Sequence, residues 1–266
     1  MKKGISWFTL PGQLSSKEKL ELVKDAGFEG IEIIPFRGNE DEAFKIKEIA
    51  DKMDLTITSI IDIDQWKYQF SNPDVDVREI AFNNFVHDLK LASQLNVDTV
   101  LCIPAVVNKT VTYEEAYARS LDGIKRLVEF AEKYIIVIAI ENVWNKFLLS
   151  PIEFVNYIDS FNSIYVKAYF DCGNICLYGF PQHWIKSLGP NRLAKIHVKG
   201  FDDYPKNIGF PKSLISDVPW TEFMNSLKEI NYSDFLIVEI KGEGKDSIEK
   251  VYQYSKELDI IINNSL

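Results

Sequence analysis

The sequence predicts an α/β protein folded as a (β/α)8 barrel, and three observations support that expectation. Apolar, β-branched segments alternate with longer amphipathic ones from one end of the chain to the other. Eight such strand-then-helix units fit within 266 residues, and strict alternation implies a parallel sheet with crossover helices. The first strand leads into Leu10-Pro11-Gly12-Gln13, which is not the glycine-rich turn that opens a doubly wound nucleotide-binding sheet. With no low-complexity linker, residues 1–266 read as one domain.

The units follow in order. Strand Gly4–Leu10 precedes a helical pattern over Ser16–Ala26, and the turn Asp25-Ala26-Gly27-Phe28-Glu29-Gly30 feeds strand Gly30–Phe36. Helix Asp41–Met53, strand Leu55–Asp62, helix Val75–Leu95 and strand Thr99–Ala105 come next. Helix Tyr113–Lys133, strand Ile136–Asn142, helix Pro151–Ser160 and strand Tyr165–Asp171 continue the alternation. Helix Gln182–Leu188, strand Leu193–Gly200, helix Trp220–Ile230, strand Phe235–Ile240 and helix Ser247–Ile262 complete it.

Composition narrows the function. A hydrophobic share of 46% can supply a sizeable core. The formal net charge is -9 and no long basic run occurs, which argues against a phosphodiester-binding face and so against nucleic acid as a partner. The start MKKGISWFTL carries too short an apolar segment for a secretory signal. No apolar run approaches the ~20 residues of a membrane span. Three cysteines, an odd number, do not suggest a disulfide scaffold. The expectation is a cytoplasmic protein with no membrane partner.

In a barrel enzyme the chemistry sits at the C-terminal ends of the strands. Ionisable residues occur there inside apolar runs: Glu32, Asp62, Glu141 with Asn142, Asp171, His197 with Lys199, and Glu239. A charge at any one strand end can simply mark where solvent begins. Taken together, Glu141, Asp171, His197 and Glu239 form a coherent ligand set for one divalent ion: Mn²⁺, Mg²⁺, Co²⁺ or Zn²⁺. If His197 faces the barrel interior, so does Lys199 two residues on, where a cation could hold a substrate oxygen or a phosphate.

Other residues carry weaker expectations. His87 reads as a surface or packing residue in mid-helix; His183, opening the sixth helix, has a substrate-side role open to it. Trp7, with Trp66, Tyr68 and Phe70, could wall a substrate or be core or dimer-contact residues. Lys241 and the turn Lys241-Gly242-Glu243-Gly244-Lys245 are further candidates for a phosphate, with Glu243 working against them. Within Asp171-Cys172-Gly173-Asn174-Ile175-Cys176, strand alternation turns Cys172 away from the interior, and the thiols read as small buried hydrophobes. Gly173 is expected to allow a sharp turn, and Asn174 to aim its amide at ligand or metal shell.

These residues resemble a known family. Ile140-Glu141-Asn142-Val143-Trp144-Asn145, Tyr169-Phe170-Asp171-x-Gly173-Asn174, Ile196-His197-Val198-Lys199 and Val238-Glu239 are similar, in order, to the fifth- to eighth-strand motifs of the xylose-isomerase-like TIM-barrel superfamily, sugar phosphate isomerase/epimerase branch. Gly27-Phe28-x-Gly30-Ile31-Glu32 is similar to its second strand. The resemblance covers essentially the whole chain. It implies that Glu141, Asp171, His197 and Glu239 bind one divalent metal, and that Glu141 and Glu239 double as acid and base on a carbohydrate. The substrate-binding candidates are Lys199, Asn174, His183, Trp7, Glu32 and Asn142, and the resemblance is compatible with a homo-oligomer. Two positions depart from the superfamily's ketose 3-epimerases: Asn174 stands where they commonly have histidine, and Phe147 where they tend to have glutamate. The implied reaction is proton transfer through a metal-stabilised enediolate, giving epimerisation or aldose–ketose isomerisation. An inosose-type dehydratase on the same metal site and a non-catalytic carbohydrate-binding barrel are the alternatives.

Overall fold

The computed structural model describes residues 1–203, 208–241 and 247–263. Its strands are β1 Lys2–Ser6, β2 Gly30–Ile33, β3 Thr56–Ile60, β4 Thr99–Cys102, β5 Val137–Glu141, β6 Val166–Asp171, β7 Leu193–Val198 and β8 Phe235–Val238. They close in sequence order into a barrel, as expected. The helices are α1 Ser16–Asp25, α2 Glu40–Lys52, α3 Val75–Gln94, α4 Tyr113–Tyr134, α5 Pro151–Asp159, α6 Cys172–Ile175, α7 Pro181–Arg192, α8 Trp220–Glu229 and α9 Ser247–Asn263. Among the described residues no helix is long and apolar enough to cross a membrane.

Seven of the strand readings overrun their C-terminal ends. The cause is that apolar residues beyond the ladder stay buried under the loops: Leu10, Ala105 and Ile240 are all core residues outside any strand. Three other differences concern the site face. Trp7–Thr9 leaves β1 as a 3-10 turn. Asp62 lies beyond β3, and its carboxylate caps a second such turn, accepting from Asp64 N at 2.9 Å. The one-turn helix α6 had no periodic signal because it is too short to show one.

Contacts divide the chain into two compact units, Met1–Thr58 with Asp171–Pro190 and Lys195–Leu266, and Ser59–Phe170 with Asn191–Ala194. In the first, β1 pairs parallel with β2 and β8, placing Ser6 opposite Glu32 and Ile5 opposite Val238. β7 pairs with β8, His197 opposite Ile237. Gly30 is required by close approach: a Cβ there would stand 2.5 Å from Phe235 Cε1 and 2.6 Å from Thr58 Cγ2. Helix α1 begins with a capping box in which Ser15 and Glu18 satisfy each other's backbone N–H groups. Helix α7 contains a non-helical break at Gly189, with φ 63, ahead of Pro190.

In the second unit, β5 pairs with β4 and β6, and Glu141 stands opposite Tyr169. Thr112 and Glu115 form the capping box of α4, and Ser150 caps α5 with Pro151 in its first turn. The core here is aromatic. Phe147 lies 5.1 Å from Tyr113 and 5.6 Å from Tyr157, centroid to centroid, and is buried. Phe70 is also core, its ring 6.2 Å from Phe85 and pressed on Gly123; it is no part of a substrate wall. Trp66 is exposed.

Candidate metal centre

Asp171 is the last residue of β6 and, in the same stroke, the cap of α6: its Oδ1 accepts from Asn174 N at 2.8 Å. That bond fixes the carboxylate's rotamer and points Oδ2 at the Lys199 ammonium, 2.8 Å away. Burial pushes the Asp171 carboxyl up, and the charge of Glu239 adds to this; Lys199 and His197 pull the other way without overcoming it.

His197, on β7, is fully buried. Its Nε2 lies 3.1 Å from Glu32 Oε2 and its Nδ1 3.7 Å from Glu239 Oε2. With Nε2–H donated to Glu32, the lone pair on Nδ1 is directed toward the other carboxylates. Glu32, expected on the substrate side, is fully buried with its Oε2 against the His197 ring.

Glu239 follows β8, and its N–H donates to Val198 O at 3.1 Å. Thr9 brackets it: the Thr9 hydroxyl donates to Val238 O at 3.2 Å and accepts from Ile240 N–H at 3.0 Å. Burial would raise the Glu239 carboxyl, but Lys199 and His197 outweigh it and hold the group below its ordinary range. Lys199 thus bridges Asp171 and Glu239, ion-paired with the first and hydrogen-bonded to the second.

Gly173 makes that bridge sterically feasible. A Cβ at this position would fall 2.4 Å from Lys199 Cγ and 3.0 Å from its carbonyl oxygen. Its backbone is not in the left-handed region, so close approach, not the expected sharp turn, explains the glycine.

Glu141 ends β5 and is buried, as is Asn142 beside it. Within the first unit, Asp171, His197 and Glu239 each offer one ligand atom, and these atoms lie within 4.8 Å of one another. Two carboxylates and one imidazole at this spacing fit a divalent cation with mixed oxygen and nitrogen ligands.

The remaining candidates separate. Asn174 is buried and contributes its backbone N–H to Asp171. Trp7 is buried in the turn after β1, edge-on to Phe36 at 5.2 Å. His183 is exposed, its ring 5.4 Å from that of Phe180. Lys241 is exposed, and the rest of the Lys241–Lys245 turn lies outside the described residues. His87 is partly exposed against Asp88 at 3.3 Å, a packing residue as expected. Asn145 carries a role the sequence did not announce: its amide donates to Ala105 O at 2.8 Å and its side-chain oxygen accepts from Phe147 N at 3.1 Å, pinning the loop after β5. Thr9 carries a second such role, through its two bonds to the β8 backbone. Thr9 read as one more strand residue, and only its contacts on β8 distinguish it.

Residues 20–262 match the model of the xylose isomerase-like TIM barrel family, and the chain belongs to that family. A Haemophilus influenzae protein named "Putative L-ribulose-5-phosphate 3-epimerase SgbU" is 24% identical over 258 residues, covering 91% of this chain and 89% of its own. A solved L-ribulose 3-epimerase superposes with a TM-score of 0.82 at 14% identity, over 99% of this chain and 95% of that one. A crystal structure of IOLI protein with a binding zinc atom gives 0.80 at 20% identity, over 100% and 99%. At these identities the two structures attest the fold.

Proposed function

We propose that this chain is a divalent-metal-dependent sugar or sugar-phosphate 3-epimerase, working as a single domain over residues 1–266. The observation that carries the reading is the convergence of Asp171, His197 and Glu239 within 4.8 Å, to which Glu141 would add a fourth ligand. The names of its relatives, which are sugar epimerases, and the zinc of the IOLI protein support the same assignment.

Asp171, His197, Glu141 and Glu239 would hold the ion, and when bound it would supply Lewis-acid stabilisation of negative charge on the oxygens of a ketose. Glu239 is suited to the base role because Lys199 and His197 favour its ionised form. It takes the proton from the carbon next to the carbonyl, and the electron pair left on that carbon passes into the carbonyl. Glu141, on strand β5, returns a proton to the opposite face, which inverts the centre; the roles exchange in the reverse direction. Lys199 keeps the two carboxylates it touches from repelling each other, and Glu32 holds His197 in register.

The test is turnover of ketoses and ketose 5-phosphates in D₂O by protein loaded with Mn²⁺, Mg²⁺, Co²⁺ or Zn²⁺, followed by NMR. Deuterium should enter at one carbon as its configuration inverts. Glu239→Gln should abolish exchange, whereas a Glu239→Gln protein with full turnover would sink the two-base scheme.

A further inference from the structure

One buried cation on the site face stands apart from the metal centre. Lys19, in the first turn of α1, is 8% exposed, and its ammonium sits 4.3 Å from the centroid of the Trp7 indole. Lysine is almost never buried to this degree without an acidic partner, yet among the described residues no carboxylate pairs with it. The acids beside it on the helix are otherwise engaged. Glu18 closes the capping box on Ser15, accepting from its N–H at 2.8 Å and its hydroxyl at 2.6 Å. Glu21 pairs with Lys17 at 3.6 Å. Burial alone lowers the Lys19 pKa, the signature of an ammonium lacking a counter-charge.

Its place relative to the chemistry is set by covalent and hydrogen-bonded links. Trp7 begins the turn whose last residue, Thr9, bonds the backbone on both sides of Glu239. Trp7 also follows Ser6, which is opposite Glu32, the partner of His197. Ile5, two residues before Trp7, stands opposite Val238, the neighbour of the glutamate that would work on the sugar. The helix N-terminus adds its own positive end on the same side.

We infer that Lys19, laid across Trp7 at the start of α1, is an anion subsite that receives the phosphate of a ketose phosphate. The chain is then selective for phosphorylated over free ketoses. The assignment deepens the epimerase reading and rests on it for the identity of the substrate, but the subsite itself can be tested without turnover. Lys199, the sequence's own candidate for a phosphate, is held between Asp171 and Glu239, and Lys19 takes that role.

Two measurements decide it. Inorganic phosphate, titrated into the protein by calorimetry, should bind wild type and Lys19→Arg, and should bind Lys19→Met at least tenfold more weakly. Equal binding to wild type and Lys19→Met, or no binding to either, overturns the subsite whatever the enzyme's activity. In the D₂O assay, the ratio of kcat/KM for ribulose 5-phosphate to that for ribulose should fall roughly 10- to 100-fold in Lys19→Met, the worth of a charge-assisted contact. An unchanged ratio in a folded Lys19→Met protein refutes the selectivity. If neither sugar is turned over by wild type while phosphate binding follows Lys19, the epimerase reading fails and the anion subsite stands.

Discussion

Glu32 Oε2 lies 3.1 Å from His197 Nε2, with both side chains fully removed from solvent. A carboxylate behind a ligating imidazole sets the ring's tautomer and raises the basicity of its other nitrogen. Glu32→Gln should therefore lower metal affinity about 10- to 100-fold while leaving the barrel folded, as measured by metal titration beside circular dichroism. Unaltered affinity would show that Glu32 does not orient the ligand.

The contact between Gly173 and Lys199 makes a steric prediction. Gly173→Ala should destabilise the protein by about 1–3 kcal/mol through overpacking, read as a lower thermal midpoint. The added methyl meets Lys199 Cγ, so Gly173→Ala should cost measurably less in a Lys199→Ala background. Additive effects would mean that the backbone, not the lysine stem, is what the methyl disturbs.

Thr9 is expected to hold Glu239 in place through the backbone. Thr9→Val removes the acceptor for the Ile240 N–H and the donor to Val238 O, leaving buried polar groups without their bonds. The cost should be about 1–3 kcal/mol in unfolding free energy. Deuterium exchange into substrate should fall more than stability alone explains, because the carboxylate is displaced while the chain remains folded.

The thiols should be inert. Burial pushes Cys176 up to about 12, and Cys102 and Cys172 are raised further by full burial. At pH 8 the thiolate fraction of Cys176 is on the order of one in ten thousand. Iodoacetamide should leave the native protein unlabelled by mass spectrometry, and all three cysteines should react once it is unfolded. Cys172→Ala with Cys176→Ser should keep metal binding, and Asp171→Ala should lose it.

Local pattern carried the alternation of strands and helices, because the two periodicities are written in adjacent residues and burial of one face enforces them. It also carried Glu141, Asp171, His197 and Glu239 as candidates, since each lies near a strand's end. What lay beyond it were the contacts made across the sheet and from helix to loop. Nothing near Glu32 in sequence shows that it stands behind His197, and nothing near Gly173 shows that Lys199 crosses it. Phe70 read equally as a substrate wall or a core residue because aromaticity is local, while its burial on Gly123 depends on a helix far along the chain.

The sequence by itself determined the class of fold and the strand-end acids and imidazole. Tertiary structure alone decided which carboxylate orients the histidine, which lysine neutralises the ligand set, and which lysine remains over Trp7. The physical reason is that element formation depends on the order of neighbouring residues, whereas the partner of a buried charge is set by strand register and by how closely the backbones approach.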